Sequence, residues 1–186
     1  GLAGVGAVFP FFYPSFVPRL CQVAQVGVFE MVKTAPSKRE PEAQAAVEGI
    51  RQATTLPIFV SLSFGAGGRT MMGVTPAQVV ETFAPMAVAA LGANCGEGIE
   101  PVVSALVEMR GALIEAGGSA PPALIAKPNA GLPRLEDGQT VFDLGPEEMA
   151  THVPRLVESG AQIIGACCGS SPAHIAAMAV RLSDAS

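Results

Sequence analysis

Ile58-Phe59-Val60-Ser61-Leu62-Ser63-Phe64, then the loop Gly65 to Val74, then Thr75-Pro76: strand, loop and helix follow one another in this stretch, and that order sets how the rest of the chain reads. The first seven residues form a compact apolar run of strand character. The loop carries four glycines. Thr75 fits a helix N-cap, and Pro76 fits the first helical position, where its missing N–H costs nothing. Val79, Phe83 and Met86 then fall at i, i+4 and i+7, one face of a helix.

The same beat repeats downstream. Ala90-Leu91-Gly92-Ala93-Asn94 reads as a strand. It leads to a helix through Val102, Leu106, Met109 and Leu113 that ends at Gly117-Gly118. Ala123 to Lys127 is the next strand and is followed by a long polar loop. Gly145-Pro146-Glu147-Glu148 opens a helix with carboxylates in its first turn, where the helix dipole favours them. Met149, Val153 and Leu156 form the buried stripe of that helix. Ala161 to Gly165 is a further strand, and Ser171-Pro172 starts a last helix through Ile175, Met178 and Leu182. Upstream, a strand from Val26 to Met31 and a helix from Pro41 to Thr54 complete about five βα units. Gly1 to Leu20 fits no pattern.

Strands alternating with helices predict a parallel sheet, either an open doubly wound sheet or a closed (β/α)8 barrel. No GxGxxG or GxxxxGK[ST] follows the first good strand, so the nucleotide-binding open sheet lacks its usual support. A barrel takes roughly 250 residues. The pattern alone therefore gives an α/β fold in a single domain of 186 residues, either an open sheet or part of a barrel. The chain starts at Gly1 without a methionine, so an upstream part is expected.

Composition narrows the function classes. Apolar residues make up 49% and charged residues 15%, with 21 glycines and 16 prolines. That is too apolar for a disordered chain, and the glycines keep no three-residue period. A net charge of −5 without a Lys/Arg cluster argues against nucleic acid. The longest apolar stretch, Gly1 to Val17, is broken by Pro10 and Pro14, so no membrane span is expected. Thin charge predicts an unusually apolar surface, part of it meant for burial elsewhere.

Four cysteines occur. Adjacent Cys167 and Cys168 rarely bridge each other, and a cytoplasmic home with reduced thiols fits this usage. Cys95 follows one strand and Cys167-Cys168 another, at the strand end where parallel α/β folds carry their chemistry. Three thiolates suit Zn²⁺ and leave a fourth, catalytic position open. A lone cysteine is more often a small hydrophobe, and Cys21 reads that way. His174 reads as a surface or capping residue, and His152 as exposed. Asp143 and Glu97 read as solvated loop carboxylates. Lys127 and Arg69 each have a minority reading as substrate contacts. The methionines read as core filler.

The run Gly165-Ala166-Cys167-Cys168-Gly169-Ser170-Ser171-Pro172-Ala173-His174-Ile175 closely resembles the GGCCGTTPxHI signature of the homocysteine S-methyltransferase domain. Three more blocks agree in order: Ser63-Phe64 with Gly68-Arg69-Thr70 and Gly73-Val74-Thr75-Pro76; Gly92-Ala93-Asn94-Cys95; and Lys127-Pro128-Asn129-Ala130-Gly131-Leu132-Pro133. The resemblance covers residues 56–182, with 1–28 poorly matched. It implies an α/β fold of the (β/α)8 TIM-barrel type, incomplete here with about five C-terminal βα units, and one zinc held by Cys95, Cys167 and Cys168. The substrate thiol of homocysteine would be the fourth ligand, and the product methionine. It also implies substrate-site roles for Asn129, which in some relatives occupies the metal before substrate arrives, and for Glu30, a strand-end carboxylate for the substrate amino group. The resemblance leaves the methyl donor open among methylcobalamin on a separate module, betaine, S-methylmethionine and S-adenosylmethionine, and Gly96-Glu97-Gly98 leans toward the cobalamin-linked members. The family's opening strands have no counterpart here. An open half-barrel would expose strand edges and inner-face apolar residues. The alternative reading is therefore a truncated, non-catalytic zinc-binding module that acts by assembly, as an oligomer or with a second chain completing the barrel. A thiol-based redox or metal-sensor protein is a further alternative.

Overall fold

In the computed structural model, residues 13–14, 21–22, 30–33, 40–65 and 67–184 are described, with side chains over 43–65 and 67–183. The unpatterned start and Cys21's side chain fall outside these. β1 (Tyr13–Pro14) and β2 (Cys21–Gln22) form a small antiparallel pair. Then come β3 (Glu30–Lys33), α1 (Glu40–Ala53), β4 (Ile58–Leu62), α2 (Pro76–Phe83), β5 (Ala90–Cys95) and α3 (Ile99–Ala116). They are followed by β6 (Ala123–Pro128), β7 (Pro133–Glu136), β8 (Gln139–Phe142), α4 (Pro146–Thr151), α5 (Val153–Glu158), β9 (Ile163–Ile164) and α6 (Pro172–Asp184).

β3, β4, β5, β6 and β9 form one parallel sheet in chain order. A doubly wound sheet reverses its order at a switch point. This one does not, so its crossovers lay the helices on one face, as in a barrel wall. The packing agrees. Ile58, Val60, Leu62, Leu91, Ala93, Leu124, Ala126 and Ile164 face the helices and join Val79, Phe83, Val102, Leu106, Met109, Met149, Leu156 and Met178 in one core. The alternate residues Phe59, Ala90, Ile125 and Ile163 form a separate cluster on the inner face. The apolar surface that an open half-barrel was expected to expose there is buried. Phe59 stands beside Ala90 and Ile125 beside Ile163 across adjacent strands.

Gly92 sits in this wall because nothing larger fits. A Cβ there would lie 1.9 Å from the carbonyl oxygen of Ile125 on β6. Thr75 caps α2 as expected, and Gln78 closes the capping box. Gly117, with φ 65°, ends α3.

Three local expectations change. The single helix after Gly145 is two, α4 and α5, separated at His152. Pro154 has no N–H to give and its ring crowds the carbonyl four residues back. The stripe Met149, Val153 and Leu156 is buried all the same. The long polar loop is a β7–β8 hairpin, paired Pro133 to Phe142 through Glu136 to Gln139. Asp137 and Gly138 both have positive φ, 50° and 77°, which is the turn that an Asp-Gly pair favours between strands. The strand expected over Val26 to Met31 is Glu30–Lys33 within the described residues.

Candidate metal centre

Cys95 ends β5. Cys167 and Cys168 follow β9 after two further residues, and β6 lies between the two strands. Next-but-one strands stand roughly 9.5 Å apart. Here the Cα atoms of Cys95 and Cys167 are only 5.6 Å apart. Cys95, the last paired residue of β5, turns there in the left-handed region, at φ 54°. A non-glycine residue there carries backbone strain of roughly 1–3 kcal/mol, which surrounding structure must hold. On the other side, Cys167 N–H donates to the Pro128 carbonyl at 2.8 Å.

The three Sγ atoms lie within 4.8 Å of one another. Cys95 and Cys168 are 4.0 Å apart and Cys167 and Cys168 3.9 Å apart, sulfur to sulfur. Tetrahedral zinc with Zn–S bonds of about 2.3 Å sets its sulfurs roughly 3.8 Å apart. The Sγ atoms of Cys95 and Cys167 are in disulfide contact, and Cys168 is the free, exposed thiol. A 5.6 Å Cα separation serves a disulfide as well as a shared ion. Binding an ion through all three requires the pair reduced. With that condition the donor set fits zinc.

Asn129 holds the two cysteine loops together. Its side chain is buried, Nδ2 donates to the Gly96 carbonyl at 3.0 Å, and Oδ1 accepts from Cys168 N–H at 3.1 Å. Behind Cys168 a backbone relay continues. Ala130 N–H donates to the Cys168 carbonyl, and Leu144 N–H donates to the Ala130 carbonyl. The Leu144 carbonyl accepts from His174 Nε2 at 3.0 Å, while His174 Nδ1 accepts from Ser171 N–H at 3.0 Å. His174 therefore caps α6 but is buried rather than on the surface. Two partners and a closed ring of bonds account for that burial. Gly169, at φ 77°, lets Phe142 of the hairpin seat against the same loop, where a Cβ would come within 2.2 Å of the ring.

Other expected residues scatter. Glu30 pairs with Ile58 at the start of β3, about six residues below the level of Cys95, or roughly 20 Å along the strands. The sheet does not bring it to the cysteines; the side chain itself is outside the described residues. Lys127 is buried at the end of β6, opposite Asn94. Asp143 accepts from Leu132 N–H at 2.9 Å, a loop brace. Arg69 donates to the Gly73 carbonyl at 2.8 Å, and Glu97 is exposed. His152 is half-buried at the α4–α5 break rather than exposed. Asn94 is a residue that the sequence reading passed over as anything but part of a motif. It is buried among Ser61, Ser63 and Cys95, and only strand register could have shown this.

The profile of the family described as homocysteine S-methyltransferase matches residues 15–182. The chain belongs to the homocysteine S-methyltransferase family. Among curated members, methionine synthase of Mycobacterium tuberculosis is 29% identical over 147 residues, and that of Mycobacterium leprae 31% identical over 150. Each match takes in 76% of this chain and 12% of the relative, so the chain spans about an eighth of their length. The homocysteine methyltransferase MmuM from Escherichia coli is similar in its metallated form, with TM-score 0.56 and 25% identity over 74% of this chain and 40% of that one. Its oxidized form has TM-score 0.61 and 24% identity, over 82% of this chain and 45% of that one, a likeness of fold. The barrel wall of five parallel strands is thus the family's α/β architecture in part. Among the described residues no helix is long and apolar enough to cross a membrane.

Proposed function

We propose that this chain is the homocysteine-activating part of a zinc-dependent S-methyltransferase. The observation that carries the reading is the convergence of three sulfurs within 4.8 Å at the C-terminal end of barrel strands, in a chain of this family. Cys95, Cys167 and Cys168, reduced, would hold the ion. A zinc ion there supplies Lewis-acid stabilisation that keeps a thiol as thiolate near neutral pH. Asn129 keeps the two loops at one spacing, so the donors are preorganised rather than gathered on binding. Asn129 is also the side chain we assign to the vicinity of the incoming substrate. In the net change homocysteine sulfur forms a bond to the methyl carbon, the donor's bond to that carbon breaks with its electron pair left on the donor, and the S–H bond breaks with the proton passing to solvent. Methylcobalamin on a separate module is the proposed donor, and the reducing cytoplasm the proposed setting, since a disulfide between Cys95 and Cys167 would remove two ligands.

A second reading keeps the zinc site without the reaction: a zinc module that works only when assembled with another chain. One experiment covers both. Reduced protein is titrated with zinc against a chromophoric chelator, beside Cys168→Ser, and then offered homocysteine and methylcobalamin. The proposal expects one zinc per chain, affinity at least about 100-fold weaker in Cys168→Ser, since even outer residues cost 10–100-fold, and methionine formed. Zinc without methionine formation, together with a dimer or larger species, supports the assembly reading. Equal zinc binding by both proteins sinks the metal site.

A further inference from the structure

Asn94 lies on the inner face of β5, 2% exposed, one residue before Cys95. Its Oδ1 accepts from the Ser61 hydroxyl at 2.5 Å. Its Nδ2 donates to Ser63 Oγ at 3.0 Å and to Cys95 Sγ at 3.2 Å. We propose that Asn94 is a positioning residue for the metal centre, donating a hydrogen bond to the Cys95 sulfur, and that Ser61 fixes the amide in the orientation that allows it.

The register explains the arrangement. Ser61 stands opposite Gly92, which has no side chain, so the Ser61 hydroxyl reaches diagonally to Asn94, two residues on. Ser61 is fully buried and has one proton to give. Placing it on Oδ1 leaves both Nδ2 protons for the other side, toward Ser63 and Cys95. A metal-bound thiolate is an acceptor and never a donor, so the amide must face it with nitrogen, as it does here. The same bond restrains a residue held at φ 54°, where the backbone alone would not keep the sulfur aimed at Cys167 and Cys168. Outer partners of this kind set the orientation of the ligand atom and the charge it gives to the metal. The inference rests on the zinc reading above and goes beyond it by naming a residue that no ligand set contains.

The test uses the reduced full chain as wild type, Asn94→Ala, Asn94→Asp and Ser61→Ala. Zinc affinity is read by chelator competition, and the cobalt-substituted protein by its sulfur-to-cobalt charge-transfer band. Asn94→Ala and Asn94→Asp are expected to weaken zinc about 10- to 100-fold and to shift the band. Ser61→Ala is expected to move both in the same direction by less. A merely structural role would lower stability and leave the band in place. If Asn94→Ala does not fold, Ser61→Ala decides by the same two readouts. Zinc affinity within two-fold of wild type and an unmoved band in the folded variants overturn the inference. A wild type that binds no zinc overturns the reading beneath it and this inference with it.

Discussion

At the residue scale, each cysteine is only as useful as the bonds that aim it. Asn129 joins loops that are 33 and 39 residues away in sequence, through the Gly96 carbonyl and the Cys168 N–H. Asn129→Ala strands both backbone groups. Both bonds are part-buried, so water replaces them in part, and denaturant unfolding of the reduced, metal-free variant should show a total loss of about 1–3 kcal/mol, and chelator competition a zinc affinity lower by about ten-fold. The cysteines themselves were legible in the sequence, because glycine-flanked thiols after β-runs mark strand ends. The roles of Asn129 and Asn94 as braces were not, because their partners are chosen by register. Glu30 shows the same dependence: its register opposite Ile58 sets its level in the sheet, and no local signal gives that register.

At the element scale, local signals decided more. Thr75, Pro76 and Gln78 specify the start of α2 and the capping box forms as they require, while Glu108 of α3 adds a bond from the Ala77 N–H. Pro154 and Asp137-Gly138 carry equally local instructions, a helix break and a hairpin turn, set within an apolar stripe and a polar stretch that point elsewhere. Gly92 belongs to this scale too, since it lets β5 approach β6. Gly92→Ala places a methyl against the Ile125 carbonyl, and backbone yields little. We expect a loss at or above the roughly 3 kcal/mol upper end of overpacking, measured by urea unfolding, with Gly111→Ala, where a Cβ meets nothing within 4 Å, as the neutral comparison.

At the scale of the whole molecule, the sparse charge has a visible counterpart. Large apolar side chains stand in solvent on several faces, among them Leu135 at 76% exposure, Met71 at 72% and Ile114 at 71%. The metal reading also has a global consequence. Ligand that binds only the native state adds about 2.7 kcal/mol at 100 times its Kd, and for a chain this long each kcal/mol moves Tm by roughly 2–4 °C. Zinc should therefore raise the melting temperature of reduced protein by about 5–10 °C and leave the Cys95–Cys167 disulfide form unmoved. A calorimetric scan of both forms checks this, and an equal rise in both would count against a three-cysteine site.

The sequence by itself determined the alternation of strands and helices, the parallel sheet and the strand ends on which the thiols ride. Those follow from periodicity, caps and apolar runs, which act over a few residues. The tertiary structure alone decided that the strands lie in chain order with the helices on one face. It also decided that Cys95 turns back across β6 to meet Cys167, and that buried asparagines span the gaps between loops. These depend on which strand neighbours which, and a pairing across thirty or more residues leaves no local mark in the chain.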